Sequence, residues 1–163
     1  YKKYSHMKNN YLNIYNNLIK LTRNKSLYLK LEKNDTFSDR LIFLFFHLAF
    51  FLKQYKSSIS QNDLQKLFDF IIKQIELSIR EIGYGDASIN KKMKNYLNLF
   101  YSILDKIEST NLDIDENHIG LIKKYLNTDI NLDFYTNYFN KYRIFLAKNT
   151  LNNFTKDIIN LNF

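Results

Sequence analysis

Twelve consecutive residues, Leu41 to Leu52, read Leu-Ile-Phe-Leu-Phe-Phe-His-Leu-Ala-Phe-Phe-Leu, with Arg40 before them and Lys53 after. A membrane span needs about 20 apolar residues, so this run is too short to cross a bilayer alone. As a helix it is apolar nearly all round and has no face to offer to water. The expectation is a central core helix that the rest of the chain must cover, with a membrane-contacting helix as the alternative.

The flanking sequence supplies the boundaries. Asp35-Thr36-Phe37-Ser38-Asp39 starts the helix, because Thr36 with Asp39 three residues on has the form of a capping box, and the helix then runs to about Tyr55. Elsewhere apolar residues recur at steps of three and four, the signature of one helical face. Tyr4, Met7, Tyr11, Ile14, Leu18 and Leu21 form the first such stripe. Leu27, Tyr28, Leu29 and Leu31 are expected to tuck inward as a short turn. Ser60 to Asp63 opens a helix carrying Leu64, Leu67, Phe68, Ile71, Ile72, Ile75 and Ile79, which Gly83 ends. Met93, Tyr96, Leu97, Phe100, Ile103, Leu104 and Ile107 make the next stripe, and Ser109 to Glu116 reads as a polar loop. Ile119, Ile122 and Leu126, then Phe134, Tyr138, Tyr142, Phe145 and Leu146, mark two more helices. Leu151, Phe154, Ile158 and Ile159 fit a last one. No repeat, linker or sustained strand alternation interrupts the pattern. It predicts an all-α fold, a single globular domain over residues 1–163 with about six to seven crossing helices.

A chain of 163 residues that is 45% hydrophobic, with 14 Phe and 13 Tyr, can fill such a core. Its net charge of +8 would suit an anionic partner: RNA, a ribosome surface, anionic lipid or an acidic protein. The plainer reading is a surface solvated by lysines in a chain biased toward residues with A/T-rich codons. The absence of cysteine excludes disulfides, thiolate nucleophiles and Cys-ligated metals.

Catalytic patterns are missing. His6, His47 and His118 belong to no Glu-x-x-His pair and no His-Glu-x-x-His motif. His47, on the apolar run, reads as a hydrogen-bonded core histidine, and His118 as a residue of the acidic loop. Gly83-x-Gly85 lacks the third glycine of a dinucleotide loop and the Gly-Lys-Ser/Thr of a phosphate loop. No cofactor or metal is expected, and no enzyme.

The most distinctive stretch is Ile79 to Tyr101. Two of the three glycines lie here, bracketing Tyr84. Gly83 reads as a helix stop at positive φ, and Asp86 or Ser88 as the cap of the next helix. The corner so formed carries Arg80, Glu81 and Asp86, with Lys91, Lys92 and Lys94 just beyond. It is either architecture or a docking surface. Tyr84, Tyr96 and Tyr101 could offer stacking faces, but their helical spacing points them toward the core.

Two blocks resemble the ubiquinol–cytochrome c chaperone family. The first is Leu27-Tyr28, Asp35-Thr36-Phe37-Ser38-Asp39-Arg40 and the apolar helix bearing His47. The second is Arg80-Glu81-Ile82-Gly83-Tyr84-Gly85-Asp86, then Ser88, Lys91-Lys92-Met93-Lys94 and Phe100-Tyr101. It is similar to the family's Arg-Glu-Met-Gly-Val-Gly-Asp signature, with Ile82 for Met, Tyr84 for Val, and Ser102 where a Gly usually follows Phe-Tyr. The likeness runs from about Ile14 to Asp113 and is loose beyond Asn117.

The resemblance implies a non-enzymatic assembly chaperone for complex III that binds newly made cytochrome b. It also implies a small partner protein and the ribosome as further contacts in the mitochondrial members, peripheral membrane contact, and no specific DNA. The short chain looks like a bacterial-type member, placed in the cytoplasm beside the inner membrane, with the mitochondrial matrix as the alternative. On this likeness the partner-binding residues are Arg80, Glu81, Tyr84, Asp86, Lys91, Lys92 and Lys94. A basic helical RNA- or ribosome-binding module is the competing reading.

Overall fold

The computed structural model describes residues 10–31, 36–126 and 128–156. They form α1 (Tyr11–Thr22), α2 (Lys25–Leu29), α3 (Phe37–Tyr55), a 3-10 turn at Lys56–Ser58, α4 (Gln61–Ile82), α5 (Asp86–Ser109), α6 (Asp115–Leu126), α7 (Leu132–Lys148) and α8 (Leu151–Phe154). Among the described residues there is no strand. The expected positions Tyr4, His6, Met7, Asp35, Ile158 and Ile159 lie outside them.

The apolar run is the axis of the fold. In α3 every residue from Phe43 to Leu52 is buried, and α1, α5, α6 and α7 all pack against this helix. Burying a Phe or Leu side chain is worth about 1.5–3 kcal/mol, so this helix is the main apolar contributor to the core. The capping box forms as expected. Asp39 N–H donates to Thr36 Oγ1 at 3.2 Å, and Thr36 N–H donates back to the Asp39 carboxylate at 3.2 Å. At the far end Lys53 Nζ donates to the Ile107 carbonyl at 2.7 Å, satisfying an orphan acceptor in the last turn of α5.

Large aromatics bury well but carry polar tips that need partners. Along the seam between α3 and α7 those tips meet backbone carbonyls. Tyr142 donates to His47 O at 2.9 Å and Tyr55 to Leu146 O at 2.6 Å. Tyr135, also on α7, donates to Leu27 O of α2 at 2.6 Å. Phe139 of α7 stacks on Phe50 with ring centroids 5.5 Å apart. Asn17 of α1 donates to Phe154 O at 2.7 Å and pins α8 in place.

His47 is the core histidine the sequence suggests. Phe43 O can only accept, so Nδ1–H donates to it at 2.6 Å, and Nε2 accepts from Tyr138 Oη–H at 2.7 Å. Burial pushes its pKa down to about 4, so the ring is neutral.

Three expectations need correction. His118 is not in a loop. The α6 helix begins at Asp115, where Asp115 and Glu116 favour the positive N-terminal dipole, and this brings His118 onto the buried face with Leu121 and Ile122. Leu29 does not tuck inward. Leu27 and Leu31 are buried while Leu29 is 81% exposed, since α2 is a single turn that can turn only one side to the core. Tyr84 and Tyr101 are likewise exposed, not core-facing.

Candidate docking site

The α4–α5 corner follows from two glycines in different roles. Gly83 sits at φ 103°, the left-handed conformation that a Cβ disfavours, and its N–H closes the last turn of α4 on Arg80 O at 3.0 Å. Gly85, at φ −74° and ψ 161°, is the N-cap of α5. This differs from the expected Asp86 or Ser88 cap. Asp86 is instead the first helical residue, where its charge still complements the helix dipole while its carboxylate reaches back across the corner.

That reach forms a brace. Arg80 Nη1 lies 2.6 Å from Asp86 Oδ1, and its Nη2 lies 3.0 Å from Glu76 Oε1. One guanidinium thus ties the last turn of α4 to the first turn of α5, using the fork geometry that arginine alone offers. Glu76 was not among the expected residues, although its i,i+4 spacing to Arg80 announces the pair. These hydrogen bonds to carboxylates hold the Arg80 pKa above its ordinary value. The arginine and Asp86 are well exposed, so the brace sets geometry more than it adds stability.

The remaining expected residues divide by whether their charge is engaged. Lys92 Nζ sits 4.3 Å from the centroid of the Tyr84 ring, covering one face of an otherwise exposed aromatic. Glu81 is exposed on the α1 side of the corner, where its charge adds to the burial that raises the Tyr15 pKa. Lys91 and Lys94 are exposed and three residues apart on α5, so they share a face, and neither has an ion pair among the described residues.

Along α5 the aromatics continue the surface. Tyr96 packs edge-on against Phe37 at 6.2 Å, and Tyr101, 52% exposed, stacks on Phe68 at 5.9 Å. Ile82, at 52% exposure, adds an apolar spot beside Gly83. The corner is therefore a braced, solvent-facing turn with two uncommitted cations and exposed apolar area. It can recognise a partner surface. Among the described residues no cluster of His, Cys, Asp or Glu could hold a metal ion. No helix among them is long and apolar enough to cross a membrane.

No curated protein and no solved structure matches the chain. The family model described as ubiquinol–cytochrome c chaperone matches residues 29–119, more than half of the sequence. That span holds α3, α4 and α5 entire, with the braced corner inside it. The chain belongs to the ubiquinol–cytochrome c chaperone family.

Proposed function

We propose that the chain is a non-enzymatic chaperone for complex III assembly whose client is newly made cytochrome b, and that the α4–α5 corner is where a protein partner docks. The observation that carries this reading is the family match over residues 29–119, which includes the second signature block and the first from Asp35 onward. The geometry supports the docking half of it. Arg80 and Asp86 fix the corner, while Lys91 and Lys94 keep their charges available and Tyr84 and Ile82 give exposed apolar area beside it. Cytochrome b is a bundle of apolar helices, so a chaperone for it needs apolar contact bordered by charge. The place of action in this reading is the bacterial cytoplasm at the inner membrane, with the mitochondrial matrix as the other setting.

The RNA-binding alternative draws on the net charge of +8. The aromatics lend it less than their number suggests, because Lys92 covers one face of Tyr84 and Phe68 one face of Tyr101, leaving each ring a single face for base stacking. The deciding experiment is affinity capture of the tagged full chain from native membranes. Recovery of cytochrome b, and loss of assembled complex III when the gene is deleted, is the expected result. Normal complex III levels in the deletion strain would overturn the reading.

A further inference from the structure

A cleft of about 490 Å³ opens where α1, α2, α3 and the second half of α4 meet. Its interior is apolar, with Leu41, Leu44 and Ile75 all buried and the rings of Tyr15 and Phe37 alongside. Three of its neutral polar side chains are already bonded to backbone. Tyr28 Oη donates to Thr22 O at 2.6 Å, Thr22 Oγ1 to Leu18 O at 2.9 Å, and Ser78 Oγ to Gln74 O at 3.0 Å. The charge at the mouth of the cleft is positive. Arg23, Lys25 and Arg40 line the opening, all exposed, and no carboxylate lines it among the described residues. The side chains of Arg23 and Lys25 make no hydrogen bond or ion pair among those residues. Burial raises the Tyr15 pKa, the Arg23 charge opposes that rise and the Glu81 charge, from outside the lining, adds to it.

Size and charge together narrow the occupant. The volume falls within the roughly 300–1,000 Å³ of small-molecule pockets. A docked helix instead asks for a long trough that takes anchors at i, i+4 and i+7. An apolar interior beneath the Arg23 and Lys25 side chains fits a molecule with a hydrocarbon end and an anionic end, and arginine suits phosphate in particular. We propose that the cleft holds an acyl chain of an anionic phospholipid, with the phosphate at the Arg23–Lys25 opening. A chain with no membrane-crossing helix among its described residues would thereby gain a specific hold on a bilayer surface. This inference does not depend on which client the protein serves.

The test titrates single-chain lipids, below their micelle concentrations, into the full-length protein. Lysophosphatidylglycerol should bind one to one, and lysophosphatidylcholine roughly tenfold or more weakly, because only the first is anionic overall. Arg23→Glu with Lys25→Glu should abolish that preference. Ser78→Phe, which adds bulk inside the cleft without charge, should weaken both lipids, and Ser78→Leu serves if the larger residue disturbs folding. Lys91→Glu with Lys94→Glu should change neither affinity. Helix content and melting check that each variant folds. Equal binding of the two lipids would overturn the proposal, as would wild-type binding by the folded Ser78 variants. So would a loss confined to the Lys91/Lys94 variant, which marks a diffuse basic surface. Inorganic phosphate displacing the lipid at comparable concentration would show a site for a free anion, and would overturn it too.

Discussion

The seam between α3 and α7 and the corner between α4 and α5 treat polar atoms in opposite ways. Along the seam, Tyr55, Tyr138 and Tyr142 each give a hydroxyl to a buried acceptor, and His47 uses both ring nitrogens. Leaving any of those groups unpaired inside the core would cost about 1–3 kcal/mol, so the seam has a single acceptable arrangement. At the corner, Lys91 and Lys94 have no ion pair among the described residues and stay hydrated at little cost. A buried polar atom is committed to the fold, whereas an exposed unpaired one is free to meet a partner. The contrast separates polar atoms that build the protein from polar atoms left available at its surface.

Cutting into the seam should have the largest effect. Phe46 is fully buried and touches the rings of Phe139 and Tyr125 at centroid distances of 5.2 and 6.0 Å. Phe46→Ala should cost about 3–5 kcal/mol of stability, read as a lowered urea midpoint. That is a large share of the roughly 5–15 kcal/mol of a typical domain. A loss below about 1 kcal/mol would mean that the seam is not part of one cooperative core.

Acid should strain the same region next. His47 has a folded pKa near 4 against 6.5 when unfolded, because burial disfavours its charged form. Between those values the unfolded chain binds the extra proton, so stability falls as pH drops from about 6.5 and levels off below about 4. For His47 the total is roughly 3 kcal/mol. His118 acts in the same direction. Burial first, then the charge of Arg143, pushes its pKa down to about 4, outweighing Asn140 and Asp115, which act the other way. Urea midpoints taken across this range should decline steadily, and a flat profile down to pH 5 would contradict the neutral buried histidines.

The corner's backbone gives a smaller and more local effect. A Cβ added at Gly83 or at Gly85 would meet nothing within 4 Å, so any difference between the two positions is conformational. Gly83→Ala must hold φ 103° and should cost about 1–2 kcal/mol, with Gly83→Val worse. Gly85→Ala keeps an ordinary extended backbone, and its change should stay within about 0.5 kcal/mol, since a weaker N-cap offsets lower unfolded-state entropy. Thermal melts of the two variants side by side would test this, and equal losses would contradict the assigned roles.

These positions also show how far the sequence could be read. The capping box at Thr36, the Ser60 start, the Gly83 stop and the inward stripe of α4 were legible because each rests on local spacing and backbone chemistry. His47 was legible because an apolar helix gives a histidine nowhere to go but the core. His118 was not, since a helix that starts at Asp115 instead of beyond His118 exchanges loop for buried face. Its spacing to Leu121 and Ile122 was the available signal. Tyr84 and Tyr101 were misread for a different reason. A tyrosine looks the same at a core and at a surface position, and only the neighbouring helices decide. The cleft lined by Arg23 and Lys25 was invisible because it forms only where the second half of α4 comes beside α1, α2 and α3, which local spacing does not show.

The smallest effect on folding should come with the clearest effect on recognition. Lys91 and Lys94 sit on an exposed face with no ion pair among the described residues to break, so Lys91→Glu with Lys94→Glu should leave helix content and melting midpoint unmoved. If the corner docks an acidic or anionic partner surface, the double reversal replaces attraction with repulsion. Capture of cytochrome b or another partner should then fall by roughly tenfold or more, and wild-type capture should weaken with salt. Arg80→Gln makes the sharper comparison. It breaks the brace to Asp86 and Glu76 without reversing charge, so partner capture should fall only as far as the corner loosens. Full capture by the lysine variant with loss in the Arg80 variant would move recognition from the lysines to the shape of the corner. Full capture by both would remove the corner as a docking site.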